Sequence, residues 1–218
     1  MLKIYIAGLL ASAILSFPSY ATKIYEKFPE KIQANEKYVF YSHGFIVEGE
    51  NPRPVSPRWG IYEFPKIKAA LANEAYNLIA YHRPSKTQPN EFAKKLGADV
   101  NHLIKHGVRP ENITLVGFSR GGEITVLTSN YLKLSKVNIA LLGTCSNFIK
   151  DKANYKVVGN VYSIYETSDG NRSCQFLIDQ SEMVDSLEEI SISTGEEHGA
   201  FYRPMPQWIE PLKAWLKR

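Results

Sequence analysis

Residues 113–123 read Ile-Thr-Leu-Val-Gly-Phe-Ser-Arg-Gly-Gly-Glu, and no other stretch so narrows what the chain can fold into. The run Ile113–Val116 is apolar and rich in β-branched residues, and it leads straight into Gly117-Phe118-Ser119-Arg120-Gly121. Beyond it, Ile124, Leu127, Thr128 and Tyr131 recur at spacings of three and four, the period of one helix face. A strand that reverses into a helix through Gly-x-Ser-x-Gly brings two backbones too close for a Cβ at the glycines. The turn is strained, points the serine hydroxyl into a cleft, and aims the first N–H groups of the helix at the same spot, where they stabilise a developing oxyanion. The five-residue pattern recurs by chance in unrelated chains. Its position between a strand and a helix is what makes Ser119 a candidate nucleophile.

A serine hydroxyl needs a base, and the base needs an orienting acid. The strand-like run Lys156–Tyr165 ends in Glu166-Thr-Ser-Asp169-Gly170, a turn with an acid at its tip. The alternating run Glu189–Thr194 ends in Gly195-Glu-Glu-His198-Gly199. The chain order Ser119, Asp169, His198 thus sets an acid after the penultimate strand and a histidine after the last. Glu166 and Asp179 stand as alternatives for the acid. Of the other histidines, His43 belongs to a glycine turn after the strand 37–42 and reads as structural, while His82 ends another strand and faces the cleft. His102 and His106 share one helix face with Asp99, a spacing open to a metal but far more common on a solvated face. The turn His43-Gly44-Phe45 offers a second backbone N–H to an oxyanion.

Here the chain resembles the α/β-hydrolase superfamily over roughly residues 37–217. The matching residues are His43-Gly44-Phe45, Gly117-Phe118-Ser119-Arg120-Gly121-Gly122, Asp169 and His198-Gly199. The Gly-Phe-Ser-x-Gly-Gly form is similar to the small carboxylesterase, thioesterase and dienelactone-hydrolase branches. The resemblance implies a Ser119 nucleophile, an Asp169 orienter and a His198 base. It also implies an oxyanion hole from the N–H of Arg120 and of Phe45 or Ile46. These motifs specify fold well and substrate poorly.

The coarse pattern is α/β, a mostly parallel sheet of about six to seven strands with helices on both faces. Strands are expected over 37–42, 77–81, 113–117, 137–143, 157–165 and 189–194, with one short early strand within 22–36. Helices are expected over 60–73, 90–106, 119–133, 175–186 and 206–216. Only about a dozen residues separate the strands 137–143 and 157–165, too few for the lid domain that many such hydrolases insert there. The one sizeable insertion, Phe45 to Trp59, carries Pro52, Pro54 and Pro57. Two readings of it are open, a stiff surface loop or a wall of the substrate cleft together with His43, Gly44, Trp59, His82 and Arg83.

Residues 1–21 differ in kind. A short basic start, an apolar run from Ile4 to Phe17 and Ser19-Tyr20-Ala21 make a secretory leader cut before Thr22, ahead of a single domain over 22–218. The apolar run is shorter than the ~20 residues that span a bilayer. Export gives the two cysteines meaning. Cys145 and Cys174 follow strands expected to be neighbours, so a disulfide is expected, stabilising by roughly 3–4 kcal/mol on the chain-entropy model. The net charge of +4 is modest, and acids and bases are interspersed. No nucleic-acid motif appears. The reading is an exported serine hydrolase, periplasmic or secreted, acting on a small acyl ester or thioester, with no cofactor and no metal. A peptidase or amidase with the same triad, or a non-catalytic binding protein of this fold, are the alternatives.

Overall fold

From Tyr38 onward, short apolar runs alternate with amphipathic ones, and the computed structural model, which describes residues 23–218, turns that alternation into strands and helices. The expected leader, residues 1–21 and its cut before Thr22, lies outside the described residues. In chain order the elements are β1 (Ile24–Tyr25), β2 (Tyr38–Ser42), the hairpin pair β3 (Val55–Ser56) and β4 (Gly60–Ile61), and α1 (Phe64–Leu71). Then come β5 (Asn77–Ile79), α2 (Pro89–Lys105), β6 (Ile113–Phe118), α3 (Arg120–Leu132), β7 (Asn138–Leu142) and α4 (Asn147–Lys150). The chain closes with β8 (Val158–Glu166), α5 (Gln175–Asp179), β9 (Met183–Ile192) and α6 (Pro206–Leu216).

Seven strands form one sheet in the order β1-β5-β2-β6-β7-β8-β9. Every pairing in it is parallel. Its central strands are buried on both faces, as crossover helices require. Alternate residues feed two cores. Val39, Tyr41, Val116 and Phe118 face α1 and α6, where Phe64, Ile67, Trp208 and Leu212 meet them. Tyr38, Phe40, Ile113 and Leu115 face the other way, against Leu96, Val100 and Leu103 of α2 and Ile124 of α3. The strand order reverses at β2, with β5 added on one side and β6 on the other, so a crevice opens at the carboxyl ends of β2 and β6.

Two expected helices are shorter than their apolar pattern suggested. The helix expected from residue 60 begins at Phe64, because Gly60 and Ile61 pair antiparallel with Ser56 and Val55. Gly60 sits at φ +75°, a conformation open to glycine, and Pro65 opens the helix behind it. The helix expected over 175–186 ends at Asp179, and β9 starts at Met183, six residues earlier than the alternation from Glu189 indicated. β8 offers a ladder nine residues long, and β9 pairs along all of it. Because β9 is an edge strand, its polar residues Asp185, Ser186, Glu188 and Glu189 are tolerated there and blur its strand signature.

The loop between β7 and β8 holds only the four-residue α4 and no lid. Cys145, just after β7, is bonded to Cys174, just before α5, with Cα atoms 5.2 Å apart. Among the described residues, no helix is long and apolar enough to cross a membrane.

Candidate active site

Ser119 stands between β6 and α3 at φ 53°, ψ −117°, a conformation that a non-glycine residue holds only when its surroundings force it. The surroundings here are glycines. A Cβ on Gly121 would meet the Ser42 carbonyl oxygen at 1.9 Å, and one on Gly117 would meet the Gly121 oxygen at 2.3 Å. One on Gly122 would strike Thr144 Oγ1 at 1.9 Å. The Ser119 N–H donates to Leu142 O at 3.1 Å, which locks the turn to β7.

The loops after β8 and β9 converge on the same place. His198 Nδ1–H donates to Asp169 Oδ2 at 2.6 Å, with both residues buried at 8 % and 7 % exposure. With Nδ1 engaged, Nε2 is left as the nitrogen that can accept a proton. The imidazole is clamped by Phe118 and Trp59, whose ring centroids lie 4.7 and 5.4 Å away. Ser119 and His198 line one cavity, and no hydrogen bond joins them among the described residues. Such contacts are commonly loose before substrate binds.

Glu166 is not against the histidine. It is fully buried and accepts hydrogen bonds from Ser168 N at 2.6 Å, Thr194 N at 2.8 Å and Gly195 N at 3.1 Å. Burial alone pushes its carboxyl up, but the Ser168 hydroxyl and these three N–H groups outweigh it and hold the group down at about 2. Asp179 lies on α5 and hydrogen-bonds Gln175 instead.

Phe45–Val47 forms a 3₁₀ turn directly after β2, and Arg120 is the first residue of α3. The opening residues of a helical turn have N–H groups without intrahelical acceptors. Phe45 and Ile46 open such a turn on the cavity that Ser119 lines, and Arg120 opens α3 beside it.

The cavity above Ser119 measures about 730 Å³ and is lined by Gly44, Phe45, Ile46, Trp59, Phe118 and Tyr202, with Ser85 and Lys86 at one side. Of the five residues expected to line the cleft, Gly44 and Trp59 do so. His43, His82 and Arg83 are instead not among its lining residues, and hydrogen bonds account for where they sit. His43 Nδ1–H donates to Gly44 O at 2.8 Å, and its Nε2 accepts from the Arg83 N–H at 3.0 Å. Burial first, and the Arg83 charge next, push its imidazole well below the usual range, so it stays neutral. His82 Nε2–H donates to Val47 O at 2.8 Å. The Arg83 guanidinium is buried beside Glu48 at 3.3 Å. His102, in the last turn of α2, and His106, just past its end, stack at 4.4 Å, away from the cavity.

Several lining residues carry no sequence signal of their own. Glu48 lies in an irregular loop, and Phe118 occupies a variable position of the motif. Tyr202 follows His198 in the same 3₁₀ turn, and that proximity is the one cue that points to it. Glu197 has no motif signal either. It accepts from Trp59 Nε1 at 3.1 Å and pairs with Arg58 at 2.7 Å, fastening the 45–59 insertion to the histidine loop.

No protein-family model matches the chain, and no curated protein matches it. Solved structures do. The chain is similar to Arabidopsis thaliana SOBER1 at 15% identity and a TM-score of 0.57, over 84% of this chain and 99% of that one. It is similar to an arylesterase at 13% identity and a TM-score of 0.57, over 87% and 78%. It is similar to Est1E from Butyrivibrio proteoclasticus, solved with ferulic acid bound, at 12% identity and a TM-score of 0.53, over 88% and 90%. The order of its parallel sheet, its glycine-walled turn at Ser119 and these likenesses agree: the chain has the α/β-hydrolase fold.

Proposed function

We propose that the protein is an exported serine hydrolase that cleaves carboxylic ester or thioester bonds through an acyl-enzyme. Ser119 Oγ attacks the acyl carbon while His198 Nε2 takes its proton, and Asp169 orients the ring and stabilises the imidazolium. The negative charge that develops on the carbonyl oxygen meets the N–H of Arg120 and of Phe45 or Ile46. His198 then returns the proton to the departing oxygen or sulfur. A water, deprotonated by the same nitrogen, attacks the ester on Ser119 and frees the acid. No metal and no cofactor enters these steps.

The observation that carries this reading is the 2.6 Å contact between His198 and Asp169 on the cavity that Ser119 lines. The solved esterases of the same fold support it. Export is supported by the disulfide, a bond that persists in oxidising compartments, and by the leader pattern of residues 1–21. The deciding experiment labels the mature protein with a fluorophosphonate and assays acyl esters of graded length. Wild type should label and turn over, and Ser119→Ala should do neither while keeping its circular dichroism. Full labelling of the alanine variant would remove Ser119 from the role.

A further inference from the structure

Ser119 also lines a second, smaller pocket of about 260 Å³ that does not include His198. Arg120, Glu123, Ser146, Phe148 and Asn171 are among the residues that form its walls. Arg120 is the unusual member. Its Nε is buried and has no hydrogen-bond partner among the described residues. Its carboxylate neighbours stand at 3.9 Å for Glu48 and 3.5 Å for Glu123. Each carboxylate has one oxygen engaged elsewhere, and Glu48 Oε2 is buried without a hydrogen-bond partner among the described residues. Glu48 Oε1 accepts from Arg83 Nε at 3.3 Å, and Glu123 Oε1 accepts from Tyr155 Oη at 2.6 Å. The guanidinium is steadied by the Phe45 ring, whose centroid is 5.4 Å from its Cζ. Its charge is balanced, yet its fork of donors lacks acceptors in hydrogen-bond geometry, and a planar fork of this kind matches oxygen acceptors.

Resting on the hydrolase reading above, we infer that this pocket is an acyl subsite in which the Arg120 side chain selects a short acyl arm tipped with an oxygen acceptor, a carboxylate or an amide carbonyl. The division of the substrate follows from proton transfer. His198 must reach the leaving atom, so the leaving group occupies the larger, aromatic cavity that His198 lines. The acyl arm takes the other side of Ser119. The small pocket lies below the about 300–1,000 Å³ typical of drug-sized ligand sites, which restricts the arm to a few carbons. Asn171 Nδ2 donates to Gly143 O at 2.9 Å, which fixes the Asn171 wall of the pocket.

The test compares three benzyl esters, the hemisuccinate, the succinamate and the isosteric 4-methylpentanoate. Wild type should favour one or both oxygen-tipped esters by about ten- to a hundredfold in kcat/KM, mostly through KM, as expected for hydrogen bonds to a charged donor. Arg120→Met should bring the ratio to near one. Arg120→Lys should retain part of any preference for the hemisuccinate and lose any for the succinamate, which separates charge from the fork. A wild-type ratio near one, or an unchanged ratio in Arg120→Met, would overturn the inference. A second measurement is independent of turnover. Succinate, succinamate and 4-methylpentanoate are titrated by NMR into Ser119→Ala, with and without Arg120→Met. Arg120-dependent binding of either oxygen-tipped acid upholds the subsite even if no ester is cleaved, in which case the hydrolase reading alone fails. Equal binding of all three acids with and without Arg120 sinks the subsite.

Discussion

Glu166 accepts a hydrogen bond from the Thr194 N–H at 2.8 Å, and through it the loop that carries Asp169 is joined to the loop that carries His198. The carboxylate is therefore a positioning group for a pair it does not touch. Glu166→Ala leaves the N–H groups of Ser168, Thr194 and Gly195 without their acceptor, at a cost of about 1–3 kcal/mol for a buried unsatisfied group. Any displacement of His198 relative to Ser119 near 1 Å costs about 10²-fold in kcat. Urea titration and steady-state kinetics should show both losses in one variant, and unchanged kcat would mean the two loops hold their spacing without it.

The same residue sets an acid limit. Its carboxyl is held at about 2 against an ordinary 4.5, so the unfolded chain takes up the proton first as pH falls. The stability that Glu166 contributes is whole above the ordinary value and disappears as pH drops through about 2. Thermal midpoints recorded from pH 6 to pH 2 should fall more steeply for wild type than for Glu166→Gln. Parallel curves would assign the acid sensitivity to other carboxylates.

Asp169→Asn keeps the shape of the side chain and removes the acceptor that fixes the His198 tautomer. Loss of this kind lowers kcat by about 10⁴-fold in enzymes built the same way, with little effect on KM. A variant within tenfold of wild type would mean that another acid serves His198.

Gly121→Ala tests the elbow as architecture. The new methyl group would sit 1.9 Å from a backbone oxygen of β2, which cannot retreat without breaking its pairing with β6. Overpacking typically costs about 1–3 kcal/mol, and a backbone clash exceeds that range. The variant is expected to be largely insoluble, or to melt at least ten degrees lower by calorimetry.

The disulfide closes a loop with a sequence separation of 29 residues. On the chain-entropy model its removal costs about 3–4 kcal/mol. The double substitution Cys145→Ser, Cys174→Ser should shift the urea midpoint accordingly. An unmoved midpoint would show that the packing of the two loops, rather than the bond, carries this region.

Local pattern carried the elbow in full, because strand period, glycines and helix period lie side by side in eleven residues. The meeting of Asp169 and His198 was legible from a weaker rule, that the loops after neighbouring strands converge at one end of the sheet. What escaped depends on contacts made after the chain has folded. The β3–β4 hairpin has no alternation of its own and exists because Gly60 turns the chain back. The start of β9 was hidden by edge-strand polarity. Phe118 reads as a filler of the motif, yet its ring lies 4.7 Å from His198, since the strained turn swings it under the imidazole. His43 and Arg83 looked like cleft residues by position, and only their hydrogen bonds to one another show why they face inward.

β9 has a consequence for the life of the polypeptide. Ser119 and Asp169 lie on segments that β7, β8 and the disulfide fasten together, whereas His198 follows the outermost strand. Residues 175–182 link that strand to β8 on one side, and on the other the chain runs on into α6, whose Trp208 and Leu212 are set in the core. A nick by a protease near Gln180 would leave the fragment bearing His198 held only by its ladder to β8 and by the core packing of α6. During synthesis the order is the same. The ribosome finishes Ser119 and Asp169 before His198, so the proposed triad can assemble only once the edge strand has docked.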